Sequence, residues 1–524
     1  MTPSASPLRM KMNLAHGSAG PSGPASAAWK LSQKYWPIEQ AFCSGMCNSY
    51  VEVISMPRFK QMPQAPSQIW LIPPSLDDMV SSDSEVRVLS EVMDQLDWPI
   101  LERTYYDRGT PAYPPKVMAK VLVFAYCKGI RSSRKIEELL ESDVRYMWLA
   151  GGLKPDFHTV ARFRKDKFDS LSRLFADSVR LCKSLGLVNL NIAAFDGTKV
   201  NASASKKSLY DQGRLDKELE AARRVLREAD EVDDREDSEL GEHNGREIPE
   251  HVRDAKKRKI MLEELKKKLN EGKSKTISST DMDCRLMMTR DGFRPAFNVQ
   301  AAVDGEHQVV LAMKVTNAEN DHGQLPDMVE RVHENCGMAP VMGIADTGYS
   351  DEKSLEILEE MGQEVLAAIA EHPSNTGSNN LFSSKCFLTG SDNDVLICPA
   401  GRELTFRGEH QLGSGRYRLY SANGCASCSF RDQCVRRGRG SRRVYVSCKE
   451  PLRRRMKDKL KSPGGKLVYA LRKHIVEPVF GQIKHNRNFR KFLLRGIEGA
   501  TSEVALVLMG HNLYKCAAKA LKPA

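Results

Sequence analysis

FRPAFNVQAAVDGEHQVVLAMKVTN, residues 293–317, is where the period of this chain changes. Two apolar runs flank Asp304-Gly305, a dipeptide suited to a hairpin turn, so the stretch reads as two antiparallel strands. Working outward, residues 325–336 (LPDMVERVHENC) predict a helix, 340–350 (PVMGIADTGYS) a strand and 351–361 (DEKSLEILEEM) another helix. Upstream, LNIAAFDGTKVN (190–201) reads as a buried strand ending at Asp196-Gly197. Strands alternating with helices predict a mixed α/β sheet.

On the amino-terminal side, from about residue 84 to 186, apolar residues recur at three-and-four spacing between Gly, Ser and Pro breaks, predicting helices. In KPDFHTVARFRK (154–165), Asp156 is a candidate N-cap. Arg162, Arg164 and Lys165 follow on the next turns. A short helix, Gly151-Gly152 and a basic helix match helix-turn-helix geometry, whose second helix can enter a major groove. Residues 206–276 are highly charged. Leu215, Leu219, Ala222 and Leu226, then Leu262, Leu265 and Leu269, predict two helices folded into a hairpin.

The chain has 524 residues, enough for two to four domains. Lys and Arg number 79 against 67 Asp and Glu, a net charge of +12, which suits a polyanion-binding protein. The charge is uneven: 431–466 is strongly basic and 227–242 acidic. There is no apolar run long enough to span a membrane and no signal-peptide pattern at the start. Thirteen cysteines without a small-domain framework predict a reducing cytoplasm. Residues 1–55, rich in Ser, Ala, Gly and Pro, are expected to be disordered or misassigned, with Met56 a possible true start.

Among the cysteines, Cys398 in ICPAG and Cys425, Cys428 and Cys434 in GCASCSFRDQC have the spacing of a tetrahedral thiolate site. Structural zinc is the expectation, an Fe–S cluster using the same ligands the alternative. The histidines form no ligand pattern; His158, and His322 in NDHGQLPD, are read as structural.

Three carboxylates draw attention. Asp196 and Asp346 each close an apolar run and precede a glycine, as acids at the rim of an α/β sheet would. Ordinary turn and cap chemistry accounts equally for either alone. Glu477 lies on an apolar helical stripe, four residues after Lys473 and seven before Lys484, with Gly481 leaving its face uncrowded. Lys preceding Glu by four is the weaker ion-pair order. A carboxylate so flanked suits a helix beside a metal ion and a phosphate backbone.

FDGTKVNASAS (195–205), ADTGYSDEKSL (345–355) and LRKHIVEPVFGQIKHNRNFRKFLLRG (471–496), in that order, resemble the DDE transposases of bacterial insertion sequences, in the branch with a helical N-terminal domain. QIWLIPPSLDD, GIRSSRKIEEL, KPDFHTVARFRK, FNVQAAVD and GHNLYK extend the resemblance from about Arg58 to Lys515. It implies an RNase-H-like catalytic core in which Asp196, Asp346 and Glu477 are the triad. Tyr469, Arg472, Glu477 and Lys484 resemble the Tyr-Arg-Glu-Lys signature of related transposases, with one extra residue between Arg472 and Glu477.

Two Mg²⁺ or Mn²⁺ ions about 4 Å apart would then support in-line displacement at a phosphodiester. Lys199, Arg472, Lys473, Lys484, Arg487, Arg162, Arg164 and Lys165 are the expected phosphate contacts. The expected partners are double-stranded DNA, at terminal inverted repeats and target, and a second copy in a synaptic dimer. An RNase-H-like nuclease without strand transfer, and a catalytically silent transposase-derived DNA-binding protein, are the other readings.

The divisions expected are 1–55 as an extension and 56–186 as a helical DNA-binding domain. Residues 187–205 with 277–372 would begin the core, and 206–276 would be a charged helical-hairpin insertion. A Cys-rich, basic insertion over 373–462 and the completing helices over 463–524 follow.

Overall fold

The computed structural model describes residues 75–521, apart from 104, 106–110, 241–249, 273, 370–381, 384–385, 390–394, 413–414, 436–439 and 449. The extension 1–55 therefore lies outside the described residues. Contacts divide the chain into Met1–Ile72 and Pro73–Ala524, and every described residue belongs to the second unit.

Helices come first: α1 (Leu76–Met79), α2 (Glu85–Asp94), α3 (Pro99–Glu102), α4 (Pro115–Cys127), α5 (Ser133–Ser142), α6 (Val144–Leu149), α7 (Phe157–Asp166) and α8 (Phe168–Ser184). Asp156 is the N-cap of α7, as its position suggested. Asp156 accepts from the Thr159 N–H at 2.8 Å, and Ser132 and Asp143 cap α5 and α6 in the same way. Gly151 and Gly152, at φ 58° and 80°, make the turn between α6 and α7.

Next come β1 (Ile192–Asn201), β2 (Leu209–Tyr210), α9 (Gln212–Leu240), α10 (Glu250–Glu271), β3 (Ile277–Ser278), β4 (Arg285–Thr289), β5 (Gly292–Asp304) and β6 (Val310–Thr316). α11 (Leu325–Cys336), β7 (Met342–Ala345), α12 (Glu352–Glu360) and β8 (Val365–Ala367) complete this part. β5 pairs antiparallel with β1, β4 and β6; β1 pairs in parallel with β7, and β7 with β8. This is the mixed sheet expected of an RNase-H-like core. α9 and α10 form the charged hairpin, buried along Leu215, Leu219, Leu262, Leu265 and Leu269 with Tyr210 and Ile277.

A second, antiparallel sheet joins β9 (Leu388–Thr389), β10 (Val395–Ile397), β11 (Glu403–Leu412), β12 (Gly415–Ala422) and β13 (Arg443–Ser447) in order, with α13 (Arg431–Cys434) between the last two. α14 (Glu450–Lys461), α15 (Pro463–Gly481), a π turn over Gln482–Asn486 and α16 (Gly496–Ala520) end the chain. Pro478 lies inside α15 and cannot donate to the His474 carbonyl. The Gln308 amide, from the β5–β6 turn, donates to that carbonyl at 3.0 Å instead.

α16 packs against α2, α4, α7, α8 and β6, so it touches both the helices and the sheet. Two buried polar side chains on it are fully matched. Asn512 accepts from the Val310 N–H and donates to the Val310 carbonyl, both at 2.9 Å, completing the ladder where β6 begins. Glu503, fully buried, accepts from the N–H groups of Leu493 and Leu494 and from Arg131 at 3.2 Å. Arg131 also donates to the carbonyls of Asn488 and Lys491 at 3.0 and 2.7 Å.

Two readings need correction. Asp196 is not at a strand end: β1 continues to Asn201, because β5 pairs with it as far as Ala296. Arg164 is not a phosphate contact. It is 3% exposed and donates to the Tyr126 hydroxyl, the Arg131 carbonyl and Ser133 Oγ, pinning α7 to α4 and α5.

Asn512→Ala would leave the Val310 N–H and carbonyl unpaired away from water. A loss of about 2–4 kcal/mol is expected from urea unfolding. A loss under about 0.5 kcal/mol would show that other groups take over both bonds.

Candidate active site

β1 and β7 run in parallel with Phe195 level with Ala345, so the next residues, Asp196 and Asp346, stand side by side where β7 ends. Asp346 caps the short helical turn that follows, accepting from the Thr347 N–H at 2.7 Å. Asp196 accepts from the Gly197 N–H at 2.8 Å. Arg472 reaches both from α15: Nη1 lies 3.3 Å from Asp196 Oδ2, and Nη2 3.8 Å from Asp346 Oδ1. One guanidinium thus spans the two carboxylates.

The two acids differ in environment. Burial pushes the Asp196 carboxyl up to about 6, with Arg472 and the Gly197 N–H opposing and Asp346 and Asp321 adding to the rise. The Asp346 side chain is 48% exposed against 21% for Asp196. Lys484 donates to Thr198 Oγ1 and, at 3.1 Å, to the Lys199 carbonyl, so it is anchored on β1 beside Asp196. Burial lowers its ammonium to about 8.

Glu477 is exposed on α15, and among the described residues it has no hydrogen bond or ion pair. Ile475, Val476 and Val479 take the buried face of that helix, and Arg472 falls with them at helical spacing while Glu477 does not. The structure therefore gathers Asp196, Asp346, Arg472 and Lys484, and joins Glu477 to none of them by a direct contact. Lys473 is exposed on the same helix.

Among the other expected phosphate contacts, Arg162 and Lys165 are exposed on α7. Lys199 is turned to an ion pair with Asp321 at 3.6 Å. Arg487 is internal, 7% exposed, donating to the Val507 carbonyl at 3.1 Å and stacked over Tyr514, so it is no DNA contact. Part of the basic charge of α14 is matched by acids of the first sheet's flank. Arg455 pairs with Glu359 and Lys459 with Glu364, both at 2.6 Å.

The donor set of Asp196, Asp346 and Glu477 is hard oxygen, which is the chemistry Mg²⁺ and Mn²⁺ take. The Arg472 guanidinium supplies positive charge at the place a cation would share. Cys398, Cys425, Cys428 and Cys434 line one small pocket with Phe382 and Arg442. Burial raises the Cys434 thiol; Arg442 opposes and the other three cysteines reinforce the rise. Even so, among the described residues no three His, Cys, Asp or Glu side chains are arranged to hold a metal ion. The tetrahedral thiolate set expected from the spacing is not formed among the described residues.

Asp321 was legible only as part of NDHGQLPD, a stretch read for its histidine. Its Oδ1 accepts from Asn298 and Gln300 at 2.7 and 2.6 Å, and the Tyr349 hydroxyl donates to Gln300 Oε1. The Asn-Asp pair before a helix was the signal, but such pairs are common in turns.

Residues 397–517 match the family model described as a transposase DDE domain, and residues 74–166 match a second, described as a transposase domain. No curated protein matches the chain. The first match holds Arg472, Glu477, Lys484 and the four cysteines; Asp196 and Asp346 lie before it. Together the matches support an insertion-sequence DDE transposase. Among the described residues no helix is long and apolar enough to cross a membrane.

A carboxyl raised by folding weakens the fold where it must ionise. Its cost is absent below the unfolded value near 4 and fully present above about 6. Asp196→Asn is therefore expected to raise stability at pH 8, by up to about 3 kcal/mol, and to leave it unchanged at pH 3.5. Urea unfolding of both proteins across that range checks the sign; a gain that persists at pH 3.5 contradicts it.

Proposed function

We propose that this chain is an insertion-sequence DDE transposase that cuts a DNA strand at each end of its element and joins the freed 3′ hydroxyl to target DNA. The observation that supports it most is the Asp196–Asp346 pair on the adjacent strands β1 and β7, where β7 ends, spanned by Arg472 from the helix that also carries Glu477. Two acids held side by side with cations about them suit phosphoryl chemistry, where positioning and charge do most of the work.

Asp196, Asp346 and Glu477 would hold divalent cations, which activate the attacking oxygen and stabilise the leaving one. Arg472 would hold the two aspartates in place against their mutual repulsion before DNA arrives. Lys484, fixed to β1, would present its ammonium to a phosphate beside Asp196, and exposed Lys473, Arg162 and Lys165 would hold the duplex further out as point charges. Arg162 and Lys165 lie on the second helix of the α6–α7 turn, within the amino-terminal transposase match. A pair of copies would bring two ends together.

Strand cleavage of DNA carrying the element's ends, with Mn²⁺ or Mg²⁺, tests the proposal directly. Asp196→Ala, Asp346→Ala and Glu477→Gln should each lower cleavage by at least about a thousandfold while DNA affinity stays within about threefold. A Glu477→Gln protein that cuts normally removes Glu477 from the triad. Cleavage without joining selects the nuclease, and binding without cleavage by the unaltered protein selects the silent DNA-binding protein.

Arg162→Ala with Lys165→Ala should weaken DNA binding and flatten its salt dependence by up to about two phosphate contacts. An unchanged slope places the DNA elsewhere.

A further inference from the structure

We infer that Asp321 is a positioning residue for the Asp196–Asp346 pair: its carboxylate fills the space that Gly197 and Gly348 leave, and so fixes the strand bearing one aspartate against the turn bearing the other. The inference rests on the functional reading above.

It starts from the two glycines that follow the acids. Neither has a positive φ, so backbone conformation does not require glycine at either place. Space does. A Cβ on Gly197 would lie 2.5 Å from Asp321 Oδ1 and 2.5 Å from Gln300 Nε2. A Cβ on Gly348 would lie 3.0 Å from Asp321 Oδ2, and its three nearest atoms would all belong to Asp321. One carboxylate therefore accounts for much of the first glycine and all of the second.

Side chains alternate along β1, so Gly197 and Lys199 face away from Asp196 and Thr198. α15 reaches the Asp196 side through Arg472 and Lys484. Asp321 supports the strand from the other side. It is held there by Asn298 and Gln300, both fully buried on β5 and directly opposite Lys199 and Gly197. Tyr349, three residues beyond Asp346, locks Gln300 in turn, and the Lys199 ammonium balances the charge. The Asn298 amide nitrogen must face the carboxylate, which leaves its buried Oδ1 without a partner among the described residues. An orphaned buried acceptor is a cost that this arrangement carries for the sake of its geometry. Because each donor here has one place to go, the set holds a single arrangement rather than a range.

Asp321→Asn keeps the shape but turns an amide donor toward donors. Single-turnover cleavage of end-bearing DNA should fall at least about tenfold, as displacements near an ångström do. The Mn²⁺ concentration for half-maximal rate should rise, with DNA affinity and the fully folded fraction unchanged at the assay temperature. A purely structural role would move rate and folded fraction together and leave the Mn²⁺ demand alone; that result, or a wild-type rate, overturns the inference.

A second arm needs no activity. Gly348→Ala should lower the urea midpoint by about half a molar or more in the native background, and by less than half as much beside Asp321→Gly. Equal shifts in both backgrounds also overturn the inference. If the variants show this coupling and yet the unaltered protein does not cut DNA, the proposed activity fails and the contact stands.

Discussion

A carboxylate on the central strand of a buried sheet is unfavourable unless positive charge stands beside it, and Asp196 is such a group. Its neighbours follow from that constraint. Arg472 comes in from α15 to span it and Asp346, and Lys484 is tied to the next residues of the same strand. The helix delivers Arg472 because the face that carries it is buried through Ile475, Val476 and Val479. Fold and site are therefore two readings of one helix position. The two aspartates carry like charge side by side, a cost that the Arg472 guanidinium offsets in part.

The same logic, with the signs matched internally, organises the rest of the core. Glu503 on α16 is buried deeper than Asp196, but its acceptors are all used, by two N–H groups and Arg131. Asn512 completes the edge of β6, and Arg164 and Arg487 donate to groups within the fold. These residues join the amino-terminal helices to the sheet through polar contacts that have only one good geometry. Burial of the long apolar helices supplies the driving force, and the polar residues choose the register.

Much of this was legible from the residues. The period of LPDMVERVHENC gave α11 from Leu325 to Cys336, and Asp304-Gly305 marked the β5–β6 hairpin. Leu215, Leu219, Leu262, Leu265 and Leu269 of the charged hairpin form the seam the spacing predicts, while Leu226 is only half-buried. What failed did so for definite reasons. Asp196-Gly197 looked like a turn because Asp-Gly usually is one, whereas here glycine makes room for a side chain on the opposite face. Arg164 and Arg487 looked like surface charge because a linear pattern cannot tell a guanidinium facing water from one facing carbonyls. The four cysteines had a ligand's spacing, and spacing says nothing of where sulfurs point. Asp321 went unnoticed since its partners, Asn298 and Gln300, lie on a distant strand.

The break in α15 at Pro478 has a consequence of another kind. The His474 carbonyl that the proline leaves open is taken by Gln308, a residue far away in the chain and held at φ 56° to reach it. Each makes sense only in the presence of the other: with an ordinary residue at 478 the carbonyl is already taken, and without the glutamine the gap is left to water. Related chains should therefore change these two positions together, so that a correlated pair in an alignment would mark the joint between hairpin and helix more reliably than either residue alone.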